Sequence, residues 1–204
     1  MKKKGSPNRR LSILKAEPHV SFLNCRNVPV EDLFLYARSF HTAAKKMAEA
    51  LEHGSGPFTE FDVSPVVFMY RHALELHLKA FVLGEGGNFL ATKPDPISVG
   101  KTHSVSWLAQ FVCQIITAVK WENEFRCKGV ESLADFKVLV EEINSVDPGS
   151  YVFTSPVSAN VQSIRAFARK MDAVLGLLGA TADALAAEWD MRSEAPTEAK
   201  PTIH

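Results

Sequence analysis

A chain of 204 residues, 46% of them hydrophobic, can bury the core of one ordinary domain without disulfides or a structural metal to hold it together. Lysine plus arginine equals aspartate plus glutamate at 23 each, which excludes an overall basic field of the kind that drives tight nucleic-acid binding; any such contact has to be local. The three cysteines, Cys25, Cys113 and Cys127, are odd in number and lack C-x2-C spacing, so they fit neither a zinc ribbon nor a disulfide scaffold and read as thiols in a reducing compartment.

The first fifteen residues place Lys2, Lys3, Lys4, Arg9, Arg10 and Lys15 among Gly, Ser and Pro. No apolar core of about 7–15 residues with a cleavage site follows these charges, as a secretory signal would require. No run anywhere approaches the ~18 apolar residues of a membrane span. The expected location is therefore the cytoplasm, with no membrane partner. Residues 1–27 are expected to form a basic flexible arm, and Lys2, Lys3, Lys4, Arg9 and Arg10 are candidates for gripping phosphates.

Apolar periodicity starts at residue 28, and residues 28–192 are read as one helical bundle. A first helix begins after Pro29, with Glu31 and Asp32 in its first turn where the helix dipole favours acids, and stops near Gly54. The second helix has Ser64 as an expected N-cap, Pro65 at its first position and Gly84 just past its end. Residues 84–103, rich in Gly and Pro, read as a mobile surface loop. A third helix, capped near Ser104 or Ser106, carries Leu108, Val112, Ile115, Ile116 and Val119. A fourth runs from about Ser132 to Val146, and Asp147, Pro148 and Gly149 then make a turn.

The last helix, from about Ser158 to Arg192, repeats apolar residues at three and four from Val161 through Ile164, Ala168, Met171, Leu175 and Leu178 to Trp189. Such a seam fits antiparallel neighbours in a bundle or a second copy in a dimer. Gly176 and Gly179 are positions where it can bend or admit close packing. Only residues 151–153 alternate like a strand, and residues 193–204, with two prolines, read as a disordered tail. The fold class is all-α, an up-and-down bundle of about five helices with a long C-terminal helix.

The second helix is apolar nearly all round, which places it inside the bundle. Its polar residues are therefore the candidate site. At about 100° per residue, Glu75, Lys79 and His72 fall within about 100° of Arg71, on one stripe. Arg71/Glu75 and Glu75/Lys79 are i,i+4 pairs, so a carboxylate between two cations accounts for the stripe structurally. His77 lies about 120° from Arg71, among apolar residues. It is either a core imidazole satisfied by a carbonyl or hydroxyl, or a general acid or base. His72 and His77 point about 140° apart and no H-E-x-x-H occurs, so no metal site is expected. With no phosphate loop, dinucleotide fingerprint or nucleophile elbow, no cofactor is expected.

The run F-M-Y-R-H-A-L-E-L-H-L-K-A, residues 68–80, resembles a helix in uncharacterised bacterial proteins of HEPN type (higher eukaryotes and prokaryotes nucleotide-binding). Thr102-His103-Ser104 leading into Leu108 is similar to the start of the next helix in such proteins, and residues 144–153 resemble their Asp-Pro-Gly-Ser turn; the likeness covers roughly residues 60–160. Catalytic members carry Arg, four to six residues, then His, and pair as homodimers into a metal-independent ribonuclease. Arg71 and His77 have that spacing. The resemblance implies that Arg71 holds a scissile phosphate, that His77 moves a proton, and that His72, Glu75 and Lys79 support them. The chain departs from the pattern in placing the pair mid-helix and in having Thr154-Ser155-Pro156 where an Arg-Tyr-Pro segment is usual. A homodimeric endoribonuclease of a defence or toxin-antitoxin type system, an RNA-binding version that does not cut, and a non-catalytic scaffold or protein-interaction module are all open at this point.

Overall fold

A computed structural model describes residues 30–53, 60–146 and 161–194. The protein is an all-α bundle of six helices, with no strand among the described residues. These helices are α1 (Val30–His53), α2 (Glu60–Leu83), α3 (Pro96–Lys101), α4 (Val105–Val119), α5 (Leu133–Val146) and α6 (Val161–Glu194), with a 3-10 turn at Glu85–Phe89. No helix among the described residues is long and apolar enough to cross a membrane. The basic arm, the turn at Asp147 and the strand-like stretch at 151–153 lie outside the described residues.

The centre of the bundle is α2, whose residues from Tyr70 to Val82 are buried on every side except at His72. It starts at Glu60, earlier than Pro65 suggests. Proline within the first turns forfeits one backbone bond, and here the tertiary burial of Val63 and Val66 draws the preceding turn into the helix all the same. The small residues Ala37, Ala44 and Ala48 of α1 are buried, which permits close approach to α2. Side-chain neighbours His41 with Tyr70, Phe40 with His72 and Phe34 with His77 run in opposite chain directions, so α1 is antiparallel to α2. It is antiparallel to α6 as well, since Glu52 meets Arg165 and Arg38 meets Asp183.

Between α2 and α4 the chain is ordered rather than a mobile loop. Gly86 and Gly87 fold back onto the end of α2 so closely that an added Cβ would lie 2.6 Å from the Phe81 carbonyl oxygen and 2.3 Å from that of Val82. Asp95 then caps α3, accepting from the Ser98 N–H at 2.9 Å, with Pro96 in the first turn. Ser104 caps α4 by accepting from the Trp107 N–H. Ser132 and Asp135 bond reciprocally at the start of α5, a capping-box arrangement.

The long helix α6 spans about 51 Å at 1.5 Å per residue. Its seam of Ile164, Ala168, Met171, Leu175, Leu178 and Leu185 is buried inside this one chain, so the periodicity that also fitted a dimer is used by the bundle. Gly176 and Gly179 would have nothing within 4 Å of an added Cβ; neither marks a close approach. The helix continues through Ser193 and Glu194, into residues expected to belong to the tail. Near its end Trp189 meets the Phe89 ring edge-on at 5.8 Å, and Arg192 lies over the same ring.

Candidate functional site

The polar residues of α2 separate into two clusters on different faces. The first is an ion ladder. Arg71 Nη1 donates to Glu75 Oε2 at 2.6 Å and Lys79 Nζ donates to Glu75 Oε1 at 2.7 Å. All three side chains are nearly sealed, with exposures of 1% for Arg71, 1% for Glu75 and 6% for Lys79. Helical periodicity supplies this much, because i,i+4 residues sit one turn apart on the same side.

Tertiary structure adds the other partners. Arg71 Nη2 donates to the His103 carbonyl at 2.5 Å, and Lys79 Nζ donates to the Gly100 carbonyl at 3.1 Å. His103 Nδ1 donates to Glu75 Oε1 at 3.0 Å. The ladder therefore clamps the connector between α3 and α4 at both of its ends. Burial alone would raise the Glu75 carboxyl, but the Lys79 charge, the hydrogen bonds from Lys79 and Arg71 and the nearby His103 outweigh it and hold the group below the usual carboxylate range. Arg71 also lines a pocket of 140 Å³ between α2, α5 and α6, whose other walls include Phe68, Leu139, Ile143 and Phe167.

His72 lies beside the ladder without a hydrogen bond to it. Its ring stacks on Phe68 at 5.8 Å and meets Phe40 edge-on at 4.4 Å. Burial lowers its pKa, the Glu75 charge opposes the shift, and the Lys79, Arg71 and His103 charges reinforce it.

The second cluster joins α2 to α1 and α6. His77, 2% exposed, donates from Nδ1 to the Ala73 carbonyl at 2.8 Å, so its satisfying carbonyl comes from its own helix. Its ring lies 6.4 Å from Phe34 and 6.3 Å from His41. Burial pushes its pKa down to about 4, against the Ala73 bond and with the His41 and Arg38 charges adding to the fall, so the ring is neutral at neutral pH. His41 Nε2 donates to Asp172 Oδ1 at 2.7 Å, and the Tyr70 hydroxyl donates to the same oxygen at 2.9 Å. The Tyr70 hydroxyl is raised well above its ordinary pKa by burial first, then by its bond to Asp172 and by the Asp172 and Glu49 charges.

Of the residues singled out from the sequence, the structure brings Arg71, Glu75 and Lys79 together and sets His77 apart in the other cluster. The five residues of the basic arm lie outside the described region. Three partners were not legible beforehand: His41, Asp172 and the imidazole of His103. His103 carried one signal, its place one residue before a helix cap; His41 and Asp172 each sit on exposed-looking helical positions with nothing local to mark them. Among the described residues no group of three or more His, Cys, Asp or Glu is placed to hold a metal ion. Cys113 and Cys127 are free thiols, both raised in pKa by burial, which argues against nucleophilic use.

The fold and site thus define an all-α bundle organised around a central helix with a buried ion ladder on one face and an imidazole-carboxylate-phenol cluster on another. Comparison with family models, curated proteins and solved structures finds no match for the chain.

Proposed function

We propose that this chain is a HEPN-like helical module that binds RNA, and that Arg71 and His77 are not a phosphodiester-cutting pair. The observation that carries the second part is the set of partners each residue has. Arg71 is sealed against Glu75 and the His103 carbonyl, while His77 is sealed against the Ala73 carbonyl on another face of the same helix. One phosphate cannot touch both without unfolding α2, and general acid-base chemistry needs the group within hydrogen-bond reach of the reacting atoms.

RNA is favoured as the partner by the ladder's charge. It carries two cations to one carboxylate beneath the connector at residues 100–103, a local positive region of the kind a neutral chain needs to engage phosphates. The basic residues Lys2, Lys3, Lys4, Arg9 and Arg10 belong to the same reading as an auxiliary grip, as do a cytoplasmic location and a homodimer.

The test is incubation of the purified protein with single-stranded and structured RNA in EDTA, beside Arg71→Ala and His77→Ala. Salt-sensitive binding without cleavage is the expected result, with both variants less stable. Cleavage by the wild type that disappears in two folded variants would overturn the reading and restore the ribonuclease; failure to bind RNA at low salt would leave a protein-interaction scaffold. Light scattering decides the homodimer.

A further inference from the structure

We propose that His103 is a phosphate-contacting residue, its imidazole presented at the surface by the buried carboxylate of Glu75. This deepens the RNA reading and rests on it for the source of the phosphate, but not for the chemistry of the contact. The His103 side chain is 55% exposed, whereas the Glu75 side chain that holds it is 1% exposed. The bond uses Nδ1, so Nε2, across the ring, lies on the outer side.

A ring whose Nδ1–H is given to a carboxylate has its tautomer and orientation fixed. On protonation, Nε2 becomes a second donor aimed outward, and the carboxylate behind it stabilises the resulting imidazolium. The backbone on which the ring stands is fixed as well, because Arg71 and Lys79 hold the His103 and Gly100 carbonyls. Orientation therefore costs little when a ligand arrives.

The electrostatic setting selects the ligand. The described groups facing His103 are Glu75, Arg71, Lys79 and His72 on α2, and Lys101 lies two residues away at the exposed end of α3. One carboxylate is set against three lysine or arginine cations. On a chain with balanced charges this is a concentrated positive region, and an oxyanion bearing one to two negative charges complements it. A phosphate group, whether a diester of an RNA backbone or a free monoester, meets that description and accepts an imidazolium N–H in a charge-assisted bond.

The experiment uses the full chain at pH 6.0 and low salt. Histidine side-chain NMR follows titrations with inorganic phosphate, uridine monophosphate and, at equal ionic strength, acetate. Fluorescence anisotropy with a labelled single-stranded RNA compares wild type, His103→Gln and the exposed control His53→Gln. The expected outcome is a saturable shift of the His103 resonances with both phosphates and not with acetate, together with RNA affinity reduced about five- to ten-fold in His103→Gln alone. Equal responses to acetate, or shifts shared by every imidazole, would overturn the proposal. RNA binding left unchanged by His103→Gln would also overturn it while leaving the RNA reading standing. Phosphate binding at His103 with no RNA binding would uphold the contact and remove RNA as its source. Gln retains a donor toward Glu75, and the wild-type titration stands even if the variant folds poorly.

Discussion

The face of α2 turned toward α3 and α4 buries charges, whereas the face turned toward α1 and α6 buries a neutral ring. On the first, Glu75 has Arg71, Lys79 and His103 all within 3.0 Å, and those bonds outweigh desolvation so that the carboxylate stays ionised. On the second, His77 has only a backbone carbonyl, and desolvation wins. The nearest carboxylate there, Asp172, bonds His41 and Tyr70 instead, at the partly exposed edge of the helix junction. Two groups on one helix thus respond to burial in opposite senses, and the deciding factor is the number and charge of their hydrogen-bond partners.

The strongest way to break this contrast is to remove the centre of the ladder. Glu75→Ala leaves two buried cations facing each other without a counter-charge, and the expected loss is about 3–5 kcal/mol in urea denaturation followed by circular dichroism. A loss under about 1 kcal/mol would mean that the cations relax to solvent and that the ladder does not hold the connector.

The next effect is in pH. His77 is neutral in the folded protein down to about 4, while in the unfolded chain it takes up a proton near 6.5. The unfolded state therefore binds more protons between these values, and stability falls as pH drops through that window, by up to about 3 kcal/mol. His77→Leu should flatten this limb in denaturation series collected from pH 7.5 to 4. Glu75 behaves with the same sign lower down: its depressed folded pKa gives stability that is present above the ordinary carboxylate range and lost below it. A His77→Leu profile identical to wild type would show that the ring already opens to water.

Asp172→Asn tests the α1–α6 side of the junction. It removes the charge that His41 and Tyr70 share while keeping shape, and a loss of about 1–2 kcal/mol is expected because the pair is partly solvated. The smallest effect belongs to His103→Gln, within about 1 kcal/mol by thermal denaturation, since an exposed ring adds little to a ladder already held by Arg71 and Lys79. A large loss there would place His103 inside the clamp as an architectural member.

Much of this was legible along the chain. The apolar stripes of α1, α4, α5 and α6, the Ser104 cap and the Arg71-Glu75-Lys79 alignment all follow from a period of 3.6 residues, which relates neighbours one turn apart whatever the rest of the protein does. The region at 84–103 was harder, because its Gly and Pro content reads as loop; Gly86 and Gly87 are there to let the backbone touch the end of α2, and the Asp95-Pro96 start of α3 spans too few residues to show a period. Pro65 misled in the other direction, since burial of Val63 carries the helix past a residue that locally marks a beginning.

By itself, then, the sequence determined that this protein is helical, which helix lies at the centre and which three of its charges align. The bundle alone decided that Glu75 would meet an imidazole 28 residues away and that a tyrosine on α2 and a histidine on α1 would converge on one oxygen of Asp172. It also decided that the seam of α6 would be covered by its own chain. Local periodicity fixes the side of a helix on which a residue stands; the residue it faces there depends on which helices pack together, and that is settled by burial summed over the whole core.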